Sequence, residues 1–504
     1  MDQDFHTVQK QLLTTVAALA IATTASAQDL PQAGNAWFQA GEATIAEIIA
    51  RQPITSRAKN VILFTADGNG VGTNYAIRLF SGQQAGGMGD DYVQPQETFP
   101  NLALVKTYST NGQTPDSAPT ASAMNTGVKL KNTMINVDDS VAVDDCAART
   151  GHELTTFAEM MSAEGKSVGT ISTARITHAT PAAVYAKTVN RNWEDNTSIP
   201  EGCDQLDIAD QLLQQMSNGV IDLAMGGGRA HFLPESVTDD EGKTGKRTDD
   251  RNLVEEATAT GAQYAWNEEG FKALKLDGSA PILALFESSH MKYDYDRTDE
   301  PSLAEMTGAA ITALSTNADG FYLNIEAGRV DHANHDGNLF RVLHDGKAFA
   351  DAIQVAMDAT NPEDTLIIVT ADHEHAIAFN GYCGRGSDVM GLCYAEDEAG
   401  TMHTDELNLG SDGKPYTVVG YLNGPGAVVV EQPDGTFSGS RPDLTQEEAI
   451  DPDYLQQALV PMSSETHSGE DVTVMARGPW AHLFGGVIEQ NVIFHVMNHA
   501  VHAE

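Results

Sequence analysis

The sequence predicts an α/β fold with a large central, mostly parallel sheet and helices on both faces. Short continuous apolar runs rich in β-branched residues occur at 60–65, 167–172, 321–325 and 365–370, the pattern of strands buried on both faces. Each run leads into polar chemistry, and ligands of open α/β sheets bind outside the carboxyl ends of the strands. The chain is also long, 504 residues with 45 glycines and no internal repeat, which suits a large core with many tight loops rather than a repeating array.

From the N-terminus, residues 12–24 (LLTTVAALAIATT) form an apolar stretch followed by Ala25-Ser26-Ala27, an A-x-A cleavage site. Residues 1–27 are therefore expected to be a signal peptide, and 28–504 the mature protein, exported to the periplasm or secreted. The leading residues depart from the usual pattern, with Asp2 and Asp4 against Lys10. The stretch is too short to span a bilayer, and no later run is long enough, so no membrane insertion is expected.

The run at 60–65 ends in ADGNG, which places Asp67 at a strand end. Residues 113–127, QTPDSAPTASAMNTG, put Ser117 where a loop becomes a helix. Ser is a preferred N-cap and Pro is tolerated in the first turn. A helix start also offers free N–H groups and a partial positive charge, which suits a nucleophile that carries phosphate. The run at 167–172 leads to THATPAAVYA, which reads as a helix and carries His178 and Thr180. Gly226-Gly227-Gly228 follows a strand but lacks either phosphate-loop spacing, and reads as a tight turn.

The run at 321–325 leads to Glu326 and then GRVDHANH, in which Asp331 and His335 are i and i+4 and share one helix face. His332 lies one step round. The run at 365–370 ends in ADHEH, so Asp372 and His373 reach one pocket through a tight turn. His467 follows far downstream in SSETHSGED. Any one of these is explained as a cap or turn residue. Together they predict a metal site, since imidazole with carboxylate suits Zn²⁺ and all-oxygen sets suit Mg²⁺.

Four cysteines in an exported chain favour disulfides. Of three possible pairings, Cys383–Cys393 closes a Gly-rich loop and leaves Cys146–Cys203. The charge balance is extreme, 71 Asp+Glu against 29 Lys+Arg, a formal net charge of -42. That disfavours nucleic acid and anionic membrane as partners, since both need a basic footprint. The acid is scattered over the chain, as expected for the solvated surface of a salt-adapted protein.

FTADGNG, PDSAPTASAMNTGVK, STARITHATPAAVYAKTVNR, IEAGRVDHANH, VTADHEH and ETHSG occur in one order, and in that order they resemble the alkaline phosphatase family. The resemblance implies an alkaline-phosphatase-like fold and a phosphate monoester hydrolase working through phosphoserine at Ser117. It implies two Zn²⁺ and one Mg²⁺ per subunit. Asp331, His335 and His467 match the ligands of one zinc, and Asp67, Asp372 and His373 those of the second. Asp67, Thr180 and Glu326 match the magnesium site, with Asp67 bridging. Arg191 matches the phosphate clamp, and His375 orients an aspartate ligand. Some bacterial members carry Asp and Lys where this chain has His178 and His332, a pair similar to the animal enzymes that should weaken magnesium's hold. Residues 382–461 resemble the crown insertion that lies near the dimer interface, so a homodimer is expected.

Rival readings are weaker on the residues. A sulfatase needs Arg where Ala121 stands, and phosphodiesterase relatives often use Thr as nucleophile and lack the matching arginine. An α/β-hydrolase esterase needs G-x-S-x-G, and Ser117 has no flanking glycine. A non-enzymatic acidic metal binder would leave Ser117 and Arg191 unexplained.

Overall fold

A computed structural model describes residues 30–401 and 405–503. The signal peptide expected at 1–27 lies outside the described residues. The chain forms two compact units, the first ending at Pro53. In the described part of the first, a helix Ala36–Ala50 is capped by Asn35, whose side chain accepts from the Trp37 N–H at 2.9 Å.

The second unit is built on a ten-stranded sheet. In chain order its strands are β1 (Asn60–Ala66), β2 (Asn101–Lys106), β3 (Ser167–Arg175), β4 (Leu223–Gly227), β5 (Gln263–Ala265), β6 (Ile282–Leu285), β7 (Phe321–Ala327), β8 (Thr365–Ala371), β9 (Val472–Arg477) and β10 (Val487–Glu489). The spatial order is β10-β2-β9-β8-β1-β7-β3-β4-β6-β5. All neighbours are parallel except β9, which runs antiparallel to β2 and β8. Side chains alternate across the sheet: Val61 and Leu63 join one core cluster, Ile62 and Phe64 the other. Two packed faces explain why the central strands read as unbroken apolar runs.

Register decides where the chemistry falls. Ala66 pairs with both Ala327 and Ala371, and Glu326 pairs with Thr65 and Ser172. The carboxyl ends of β1, β7 and β8 therefore finish level, with β3 running about two residues further, and side chains from distant segments of the chain meet at one edge.

Two local expectations need correction. The THATPAAVYA stretch, expected to be helical, forms only one turn, Ala179–Ala182. The chain then tightens, with Tyr185 N–H bonded to Ala182 C=O at 3.0 Å, and leaves to pair Thr188 with Ile135. That tertiary pairing overrides alanine's helix preference. In the triple glycine, Gly226 and Gly227 belong to β4; only Gly228, at φ 96°, makes the turn.

The segment after β8 builds a separate small sheet. Val419–Gly424 lies antiparallel to Ile377–Phe379 and parallel to Ala458–Pro461. Both expected disulfides are formed, Cys146–Cys203 with Cα atoms 5.7 Å apart and Cys383–Cys393 at 4.9 Å. Among the described residues no helix is long and apolar enough to cross a membrane.

One buried carboxylate lies away from the strand-end cluster. Asp345, on the helix Leu339–Ala359, accepts from the Asp294 N–H at 3.0 Å and is buried. Burial pushes its pKa up to about 7. A folded-state pKa above the unfolded one means stability is full at low pH and is lost as pH rises through about 7. Asp345→Asn keeps an oxygen for Asp294. It should raise the unfolding free energy at pH 8 by on the order of 3 kcal/mol and change little at pH 4. Denaturant titrations at the two pH values measure this; equal effects at both would show that Asp345 carries no buried charge.

Candidate functional site

The nucleophile candidate sits where the helix Ser117–Thr126 begins, and the cap is its neighbour. Asp116 accepts from the Ala118 N–H at 2.9 Å and through its other oxygen from Thr133 N–H at 2.8 Å. This corrects the reading of Ser117 as the cap. It also means that the first turn offers fewer free donors, since Ala118 N–H is taken and Pro119 has none. The Ser117 hydroxyl is freed for other partners: Oγ donates toward Asp67 at 3.2 Å and lies 3.3 Å from His373 Nε2. Ser117 is buried, 2% exposed, so its reactivity depends on these few groups.

Asp67 follows β1 directly. The chain can turn there because Gly68 takes φ 68°, and a Cβ at that position would lie 2.3 Å from the His375 ring. Asp372 follows β8 and is braced at both oxygens: Gly68 and His373 N–H donate to one at 3.1 and 3.0 Å, and Thr120 Oγ1 donates to the other at 3.2 Å. His373 Nε2 lies 3.2 Å from Asp67 and 3.3 Å from Asp372.

A second group converges on Asp331 Oδ1. The Nε2 atoms of His375, His467 and His335 lie 2.9, 3.2 and 3.3 Å away. Asp331 and His335 do share a face of the helix Arg329–His335, and the Nε2 atoms of His335 and His467 face each other at 3.0 Å. Their Nδ1 atoms are committed elsewhere, His335 to Glu465 C=O at 2.6 Å and His467 to Pro115 C=O at 2.9 Å. A carbonyl can only accept, so Nδ1 carries the proton and each Nε2 turns a lone pair into the site.

The third group is Asp67, His178 and Glu326, whose ligand atoms lie within 4.8 Å of one another. Ser172 Oγ donates to one oxygen of Glu326; the other oxygen, the buried Thr180 Oγ1 and His178 Nδ1 have no hydrogen-bond partner. Arg191 donates to His178 Nε2 at 2.9 Å and lies 3.6 Å from Asp116. His332 stands behind, its ring 5.4 Å from that of His178.

Every sequence-predicted site residue is thus brought to one edge of the sheet. The donor set suits divalent cations. Asp67, Glu326 and Asp372 are completely buried and, among the described residues, no lysine or arginine pairs with them. Burial raises all three, Glu326 and Asp372 to about 7 and Asp67 well above its ordinary value. Burial drives His373 down to about 3, so its ring is neutral and can serve as a ligand. Oxygens and imidazole lone pairs crowded in this way are costly unless cations lie between them.

Sequence reasoning missed Glu465. It precedes His467 by two residues, and no periodicity marks it. Buried, it accepts from His375 Nδ1 at 2.5 Å and from Ala376 N–H at 2.6 Å. Burial opposes charge on His375, but its bonds to Asp331 and Glu465 outweigh that and push it up to about 10. Glu465 thus holds His375, which holds Asp331, while the Glu465 carbonyl fixes His335. Glu465→Gln should weaken binding at the Asp331 group roughly 10-fold to 100-fold. Zinc retention against a graded chelator measures this; retention equal to wild type would remove Glu465 from that role.

The same chain can be set beside known proteins. The family model described as alkaline phosphatase matches residues 58–503. The tissue-nonspecific alkaline phosphatase of Gallus gallus is 38% identical over 482 residues, covering 92% of this chain and 88% of its own. The membrane-bound alkaline phosphatase of Bombyx mori is 40% identical over 457 residues, 87% of this chain and 79% of its own. Among solved structures, the alkaline phosphatase of Thermus thermophilus shares 20% identity at a TM-score of 0.62, over 91% of this chain and 94% of that one. That of the Antarctic bacterium TAB5 shares 20% at 0.59, over 89% and 100%. At such identity these two support the fold alone.

Proposed function

Since the chain belongs to the alkaline phosphatase family of metal-dependent phosphomonoesterases, we propose that it hydrolyses phosphate monoesters through a phosphoserine at Ser117. The observation that carries this is the Ser117 hydroxyl facing both Asp67 and His373, among three groups of side chains able to hold metal ions, with Arg191 3.6 Å from the adjoining Asp116.

We assign Asp331, His335 and His467 to one Zn²⁺, Asp67, Asp372 and His373 to a second, and Asp67, Thr180 and Glu326 to Mg²⁺. When bound, these ions lower the pKa of the Ser117 hydroxyl and of water and stabilise the attacking and leaving oxygens. The residues do the rest. Ser117 Oγ, turned inward by the Asp116 cap, attacks phosphorus; its proton points to Asp67 in the resting site. The P–O bond to the alcohol breaks and the leaving oxygen takes the electron pair, then a proton from solvent. Arg191, braced by His178 and Asp116, presents paired N–H donors to the phosphoryl oxygens. Water then attacks phosphorus, Ser117 regains its proton and phosphate departs. Turnover of an aryl phosphate that rises from neutral to alkaline pH tests this reading; a metal-loaded sample that cleaves diesters but not monoesters would overturn it.

The protein acts on small monoesters, and its two disulfides suit an oxidising, extracytoplasmic compartment. Export by cleavage after Ala27, to the periplasm or beyond, is our reading of the N-terminal sequence. A homodimer is supported by the segment 382–461, read as a crown: Leu422, Leu459 and Val460 stand exposed on the two strands it gives to the small sheet. Salt adaptation rests on the net charge of -42. Ultracentrifugation and melting across low and high NaCl check both; a monomer, or a melting point indifferent to salt, would remove the corresponding statement.

A further inference from the structure

Ser117 and Arg191 reach the site from separate segments of the chain, and the stretch Thr133–Asn136, which lies between them in sequence, clasps the two together. On one side, Thr133 N–H donates to Asp116 Oδ2 at 2.8 Å and Asn136 N–H donates to Ser122 Oγ at 3.1 Å. Asp116 caps the helix Ser117–Thr126, and Ser122 lies within it. On the other side, Thr133 C=O accepts from Arg191 N–H at 2.7 Å, and Ile135 and Thr188 exchange both backbone bonds at 2.9 Å. Asn136 Nδ2 donates to the carbonyls of Ala183 and Ala186 at 2.7 and 2.8 Å.

Both ends of the clasp have positive φ, 80° at Thr133 and 51° at Asn136. Asparagine visits that region readily, because its short polar side chain bonds locally. A β-branched residue does not, since its Cβ crowds the backbone carbonyl. Among the described residues Thr133 is the only β-branched one found there. Strain of this kind persists only where the surroundings over-determine it, and it gathers at functional sites. Thr133 is pinned at both of its backbone polar groups. Its N–H is held by the carboxylate that seats the Ser117 helix, and its C=O by Arg191, whose guanidinium returns to within 3.6 Å of the same carboxylate.

We infer that Thr133 is a positioning residue for phosphate: its restricted backbone fixes the reach of Arg191 relative to Ser117, so that the site gains phosphate affinity while carrying local strain. This rests on the reading that Arg191 holds the phosphoryl oxygens. The branched Cβ does the positioning, and the hydroxyl takes no part in it. Glycine at 133 would keep both hydrogen bonds and relieve the strain, but would open a wider range of φ and ψ. Arg191 would then sample positions in which its paired donors miss the phosphoryl oxygens, and orientation is what such a clamp contributes.

The test compares the full-length, metal-loaded protein with Thr133→Gly and Thr133→Val. The probes are turnover of an aryl phosphate and its inhibition by inorganic phosphate. In Thr133→Gly the inhibition constant for phosphate and KM should rise together by about fivefold, with kcat within about twofold of wild type, because Arg191 binds the phosphoryl group in ground and transition states alike. The melting midpoint of that variant should match or exceed wild type, since relief of strain offsets the added freedom of the unfolded chain. Thr133→Val keeps the branched Cβ and should bind phosphate within about twofold of wild type. A phosphate constant in Thr133→Gly within about twofold of wild type overturns the inference, and so does a loss in Thr133→Val equal to that in Thr133→Gly, which would assign the effect to the hydroxyl. Failure of the underlying reading looks different: Arg191→Gln would then leave inhibition by phosphate unchanged.

Discussion

Ser117→Ala should lower kcat on an aryl phosphate by roughly 10⁴-fold or more while leaving the fold and metal content intact. The size of the effect follows from geometry. Ser117 is buried against Asp67 and His373, and among the described residues no other hydroxyl occupies that meeting point: Thr120, one turn on, spends its proton on Asp372. The fold should survive because the helix is capped by Asp116 and not by Ser117. Alanine at the first helical position costs little when the cap is retained. Steady-state turnover, metal content and covalent labelling with radioactive phosphate measure the three parts. A residual rate above about a tenth of wild type would remove Ser117 from the mechanism. Loss of rate together with loss of bound metal would assign it a ligand's role instead.

Removal of the metals should abolish turnover, and Zn²⁺ with Mg²⁺ together should restore it. The same treatment should change how stability depends on pH. In the metal-free protein Glu326 and Asp372 titrate near 7, above their unfolded values, because burial penalises their charge. A raised folded-state pKa gives stability that is full at low pH and is lost as pH rises through about 7. The chelated protein should therefore lose several kcal/mol between about pH 5 and 8, since each carboxylate held protonated costs about 1.4 kcal/mol for every pH unit climbed above its unfolded pKa. Bound cations should flatten that decline, since they stabilise the ionised carboxylates. Melting curves across this range, with and without metals, decide it; parallel curves would show that the carboxylates do not hold the ions. The third group adds a finer test. Replacing neutral His178 with a carboxylate, His178→Asp, should tighten Mg²⁺, and unchanged Mg²⁺ dependence would count against that placement.

Much of this protein is legible in its sequence because strands and ligands are local signals. The apolar runs of β1, β3, β7 and β8 can be read directly, since burial on both faces leaves no alternation to confuse them. Asp67, Glu326, Asp372 and His373 follow from their positions at the ends of those runs, and Asp331 with His335 from helical spacing. The disulfides follow from count and loop closure. What the sequence could not decide depends on register and on side chains meeting from distant segments. Ser117 reads as the cap until the fold shows that Asp116 accepts from Ala118 while Ser117 faces Asp67. The helix expected after β3 is cut to one turn by the strand-like pairing of Thr188 with Ile135. Glu465 looks like one acid among 71. Only the antiparallel pairing of His467 with His375 brings its carboxylate under that ring. Composition fixed the sign of the protein's charge, and tertiary structure decided where that sign is reversed.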